Sequence, residues 1–119
     1  MRDEIMWWMS RITIMLTSLF LSFSLAAQAY ATEIQMGSNG NLVFEPNEVT
    51  IDAGETVTFV NNALPPHNII FDKFASLSRE SLMFTPGETQ EIKFATAGDY
   101  DFKCAPHEGA GMKGVIHVN

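Results

Sequence analysis

The chemistry of this chain is concentrated in one run near its end, Tyr100-Asp-Phe-Lys-Cys-Ala-Pro-His-Glu-Gly-Ala-Gly-Met112. Cys104, the only cysteine, stands three residues before His107 and eight before Met112. A second histidine, His67, lies far upstream in Pro65-Pro-His-Asn68. One thiolate, two imidazoles and a thioether make the donor set of a blue-copper electron-transfer centre, a trigonal plane of two His and one Cys with a weak axial Met. Such soft donors disfavour magnesium and calcium, which prefer oxygen. Zinc suits a Cys and two His, but a structural zinc site normally takes a fourth Cys, His or carboxylate rather than Met. No other cluster in the chain carries comparable chemistry.

Taken singly, each donor has a plainer explanation. A lone buried histidine is usually a hydrogen-bonded core residue, a lone buried cysteine a small inert hydrophobe, and Met112 would be core packing. Their placement sets them apart. Cys104 ends a strand-like run, His107 and Met112 follow on a Gly- and Pro-containing loop, and Gly114 to Val118 is the next strand. Pro106 removes a backbone donor from that loop, while Gly109 and Gly111 permit a tight path between His107 and Met112. His117 is different. In Val115-Ile-His-Val118, alternation sets it opposite Ile116 and Val118, as a partly exposed surface residue outside the site.

The elements that must position these donors are short. From Glu33 onward, alternating or β-branched runs are broken by Gly37-Ser-Asn-Gly40, Glu45-Pro-Asn47, Asp52-Ala-Gly54, Asn61-Asn62 and Ala97-Gly98. Seven or eight strands with turn signals every 8–12 residues predict an all-β antiparallel sandwich. Only Lys73 to Met83 interrupts the rhythm, and Ser76 to Ser81 reads as a helical turn or an irregular loop.

Ile12 to Leu25 is apolar and is followed by Ala26-Ala-Gln-Ala-Tyr-Ala31, the pattern of a signal peptide with a small-residue cleavage site. The run falls short of the ~20 residues a spanning helix needs. The expected organisation is therefore a leader over 1–31 and one domain over 32–119, 88 of the 119 residues. A lone cysteine in an exported chain pairs with another molecule, stays a free thiol or binds metal. The net charge of −7 argues against nucleic acid and anionic lipid as partners. It favours steered encounter with a positively charged protein surface.

Beyond these readings, the chain resembles the plastocyanins, small blue-copper carriers. The resemblance rests on Leu42-Val-Phe-Glu-Pro46, Pro65-Pro-His-Asn-Ile-Ile-Phe-Asp72, Pro86-Gly87 and Cys104-Ala-Pro-His-Glu-Gly-Ala-Gly-Met112. It implies a cupredoxin Greek-key sandwich binding one copper ion through His67, Cys104, His107 and Met112. It implies a monomer that carries one electron from cytochrome f to photosystem I in the thylakoid lumen or the periplasm, without being an enzyme. Leu42, Pro65, Pro66, Leu82, Gly109 and Ala110 would form the docking rim, and Asn68 would hold the ligand loops together.

The chain departs from that family in three places. Lys103 stands where a tyrosine is usual, Glu108 where cyanobacterial members carry arginine, and Asp72 to Ser81 is short. Pseudoazurins share the Cys-to-Met spacing and often carry Lys before the Cys; Pro65-Pro-His-Asn68 and Gly109-Ala-Gly-Met112 favour the plastocyanins. Two further alternatives are a copper-delivery protein and a zinc-stabilised sandwich. Against delivery, four of the seven methionines lie in the leader.

Overall fold

A computed structural model describes residues 31–119. The expected leader, apart from Ala31, lies outside the described residues. Among those residues, no helix is long and apolar enough to cross a membrane. Nine strands are present there: β1 (Thr32–Met36), β2 (Phe44–Glu45), β3 (Glu48–Ile51), β4 (Thr56–Asn61), β5 (His67–Ile69), β6 (Arg79–Met83), β7 (Thr89–Lys93), β8 (Gly98–Lys103) and β9 (Lys113–Val118). They are arranged as β2-β1-β4-β7, as β3-β9-β8, and as the pair β5-β6.

The all-β sandwich expected from the sequence is what the chain forms. Its sheets are mixed rather than wholly antiparallel, because β1 pairs β4 and β3 pairs β9 in parallel. Parallel neighbours need long connections, and alternation within each strand cannot show which strand lies alongside. The stretch expected to break the rhythm also resolves differently. A single 3-10 turn, Ala75–Leu77, gives way to β6, so Arg79 to Ser81 are extended. Pairing with β5 brings His67 opposite Met83 and Ile69 opposite Arg79, and it overrides the weak local preference of a polar run.

Strand alternation supplies the core. Ile34 and Met36 of β1, Val57 and Phe59 of β4, Ile92 of β7, Phe102 of β8 and Ile116 of β9 all turn inward and are buried. Phe102 sits at the centre of an aromatic cluster, with ring centroids 4.7 Å from Phe44, 5.4 Å from Phe59 and 5.8 Å from Phe71. Edge-to-face geometry in the first two pairs suits the ring quadrupoles. Tyr100, also inward on β8, donates its hydroxyl to the Thr96 carbonyl at 2.6 Å, pinning the bend that starts the strand. Together these contacts seat β8 in the core, and Cys104 is the residue that follows its end.

Candidate metal centre

Four elements deliver the candidate ligands. His67 opens β5 and is fully buried, although its chain neighbours Leu64 and Pro65 are exposed. Cys104 follows β8 and is fully buried. His107 lies in the 3-10 turn Ala105–Ala110, where it is half-buried. Met112, fully buried, immediately precedes β9, and its carbonyl accepts the Cys104 N–H at 3.0 Å. That bond closes the loop from Cys104 to Met112 at its base. Gly111 turns the chain there with φ 85°, a left-handed conformation that glycine adopts without strain; Gly109 does not need one.

Three of the candidate donors meet in a small triangle. The two Nδ1 atoms lie 3.1 Å apart, and the Cys104 Sγ lies 3.3 Å from Nδ1 of His107 and 3.7 Å from Nδ1 of His67. The point equidistant from three such corners is about 2.0 Å from each, close to the ~2.0–2.3 Å of metal bonds to imidazole nitrogen and thiolate sulfur. These are also the three residues that, among those described, cluster as possible metal ligands. No carboxylate belongs to the group, so its donors are soft or borderline.

Electrostatics point the same way. Burial pushes the His67 imidazole below its ordinary pKa, and His107 beside it acts in the same direction. Burial raises the Cys104 thiol, opposed by backbone N–H groups of Asn68 and His107 that favour the thiolate. A cation at the triangle's centre would supply the charge that stabilises a buried thiolate next to two neutral imidazoles. The donor set thus fits a thiophilic ion and not a hard one.

Asn68 braces the His67 and Cys104 segments. Its side-chain oxygen accepts the Ala105 N–H at 2.8 Å, and its amide donates to the Glu80 carbonyl at 3.1 Å. One buried side chain therefore links β5, β6 and the Cys104 loop. Pro106 occupies the first turn of the 3-10 segment, where its missing N–H leaves no unmet donor. Leu42 is half-buried against the core, Pro66 is half-buried, and Pro65, Leu82, Gly109 and Ala110 are exposed. His117 lies outside the cluster, between Glu48 and Asp99 on the outer sheet face.

Two features near the cluster escape sequence reasoning. Gly37 lies beneath His67, where an added Cβ would come within 2.5 Å of Nε2. Nothing local reveals that approach, since Gly37 reads only as a turn residue. Leu64, adjoining Pro65, is 58% exposed and extends the apolar surface of the loop before His67; an exposed leucine beside two prolines was the available signal.

The family described as copper-binding proteins of the plastocyanin/azurin type matches residues 30–119. The chain belongs to that family. It is 46% identical over 107 residues to a chloroplastic plastocyanin of Oryza sativa subsp. indica, covering 82% of this chain and 70% of that one. It is 52% identical over 94 residues to a plastocyanin of Scenedesmus fuscus, covering 71% and 96%. Among solved structures, the oxidized plastocyanin of Dryopteris crassirhizoma superimposes with a TM-score of 0.67 at 32% identity, covering 74% of this chain and all of that one. The copper cofactor expected from the donor types is thus the cofactor of the family.

Proposed function

We propose that this protein is a soluble one-electron carrier in which His67, Cys104, His107 and Met112 would hold a single copper ion. The observation that carries this reading is the meeting of two Nδ1 atoms and one Sγ in a triangle with two buried corners, His67 and Cys104, and one half-buried, His107. When bound there, copper supplies a reversible Cu(I)/Cu(II) couple. The chain's own residues do the rest. The packed β8 and the Asn68 brace keep the donors in place, so little rearrangement opposes electron transfer. Burial of Cys104, His67 and Met112 excludes water. Four ligands leave no open position for a substrate, which supports a carrier rather than an enzyme.

His107 is the half-buried ligand, and it is the edge at which a partner approaches. Leu42, Pro65, Pro66, Leu82, Gly109 and Ala110 form the apolar docking rim, suited to the small, weakly held interfaces of redox partners. A net charge of −7 steers the protein toward basic surfaces. The chloroplastic plastocyanins among its relatives support a route from cytochrome f to photosystem I. On this reading residues 32–119 act as a monomer in the thylakoid lumen after removal of the leader over 1–31.

Adding Cu(II) to the purified protein tests the centre. An intense visible thiolate-to-copper band and a reversible potential are expected. Cys104→Ser abolishes the band, whereas Met112→Leu keeps it and shifts the potential. A colourless protein that retains zinc would sink the reading. Oxidation of the reduced protein by illuminated photosystem I tests the partner separately.

A further inference from the structure

Lys103 touches all three segments that carry the clustered donors. Its own peptide leads directly into Cys104. Its backbone exchanges two hydrogen bonds with Ile70, at 2.9 and 3.0 Å, three residues beyond His67. Its ammonium reaches the Asp72 carboxylate at 3.0 Å and the Glu108 carboxylate, next to His107, at 3.1 Å. The Lys103 side chain is 21% exposed, against 68% for Asp72 and 45% for Glu108.

The turn this ammonium reaches needs such a tie. None of Ala105 to Ala110 is buried, so hydrophobic packing does not anchor it. Polar links hold it instead: His107 N–H to the Cys104 carbonyl at 3.1 Å, Gly111 N–H to the Glu108 carbonyl at 2.9 Å, Met112 N–H to the His107 carbonyl at 3.3 Å, and Ala105 N–H to Asn68. None of these runs from the His107 side of the turn to the segment after β5. The shared ammonium does.

We propose that Lys103 is a positioning residue whose ammonium, gripped by Asp72 and Glu108, straps the His107 turn to the His67 segment across Cys104. The importance of the strap to the metal site rests on the reading of His67, Cys104 and His107 as ligands; its existence as a mechanical tie does not. Amide exchange separates the two, because it can be followed in the metal-free as well as the copper-loaded protein.

In Lys103→Met and in Glu108→Gln, the amides of His107, Gly111 and Met112 are expected to exchange about two- to fivefold faster, the factor a modest ion-pair network supplies. Amides of β4 serve as an internal reference and stay unchanged. Lys103→Arg, which can still bridge two carboxylates, restores slow exchange. In the copper-loaded protein, release of the metal to a chelator accelerates in the same two variants and not in Lys103→Arg. Unchanged exchange at the three amides, or an equal rise throughout β4, overturns the strap even if the blue band is intact. Should Lys103→Met fail to fold, Glu108→Gln decides the question alone, since it alters an exposed residue and leaves the Ile70 backbone pairing in place. Slow metal release in a variant whose amides exchange fast would overturn the link to the ligands.

Discussion

His67 and His117 place the same side chain in opposite surroundings. His67 is buried at the pole, facing a thiol and a second imidazole, with no carboxylate in its cluster. Burial there pushes its pKa down. His117 stands on the outer face of β9, its Nδ1 2.6 Å from Asp99 of β8 and its Nε2 2.6 Å from Glu48 of β3. Those two carboxylates, Asp99 first, push its pKa up. An imidazole kept neutral among soft donors is prepared for a metal, whereas one held between anions is prepared for a proton. Sequence type is shared; what differs is whether the fold supplies burial or charge.

The most severe way to break the first environment is from below. Gly37 has φ 75°, and a Cβ there would lie 2.5 Å from Nε2 and 3.1 Å from Cδ2 of His67. A left-handed alanine costs about 1–2 kcal/mol and overpacking about 1–3 kcal/mol. Gly37→Ala should therefore lower unfolding free energy by about 3 kcal/mol in a urea titration and displace the imidazole, altering any thiolate-to-copper band. His117 offers no such vulnerability, because its ring lies on an open sheet face. A Gly37→Ala protein with unchanged stability and spectrum would mean that His67 is not seated against that backbone.

These two surroundings were legible in the sequence to very different degrees. Cys104, His107 and Met112 lie within nine residues, so their chemistry is local and visible in residue type and spacing. His67 is distant, and it joins the other three only by residue type, since the turn-rich, period-two pattern implies a sandwich without saying which loops meet. The outward placement of His117 followed from alternation. Its carboxylate partners did not, because Glu48 comes from a parallel neighbour 69 residues away in sequence. The same reason hid the approach of Gly37 and the Lys103 bridge to Asp72, each depending on which segments lie side by side. The strand at Arg79–Met83 is not legible in sequence because its residues gain their extended form from pairing with β5, not from their own preferences.

A smaller effect is expected from loosening the brace around the pole. Asn68→Ala removes the acceptor of the Ala105 N–H and the donor to the Glu80 carbonyl while leaving both backbone groups in place. An unmet buried polar group costs about 1–3 kcal/mol, and access of water to the loop would bring the loss toward the lower figure. Stability should fall by that amount in thermal or urea unfolding. Because Asn68 links the His67 segment to the Cys104 loop, the reduction potential should also move. A pure loss of stability with an unchanged potential would reduce Asn68 to a structural tie and weaken the contrast between a built pole and a passive surface.

The gentlest test concerns the outer face. The titratable groups meeting His117 are Asp99 on β8 and Glu48 on β3, with Asp101 and Lys113 elsewhere on the exposed face of the same sheet. Its folded-state pKa is raised above 6.5. Below pH 6.5 both folded and unfolded chains carry the proton, and the ionic clamp contributes in full. As pH rises from there through the raised value, the unfolded chain releases its proton first and the folded chain later, so the contribution is lost. Against His117→Gln, the parent protein should therefore show a larger fall in urea midpoint between mildly acidic and alkaline pH, and the difference should shrink in high salt because all three groups are partly exposed. Parallel pH profiles for the two proteins would show that the carboxylates merely neighbour the ring. The same profile in a Glu48→Gln, Asp99→Asn variant should follow that of His117→Gln, since an imidazole without its anions has no reason to hold a proton longer in the folded chain than in the unfolded one.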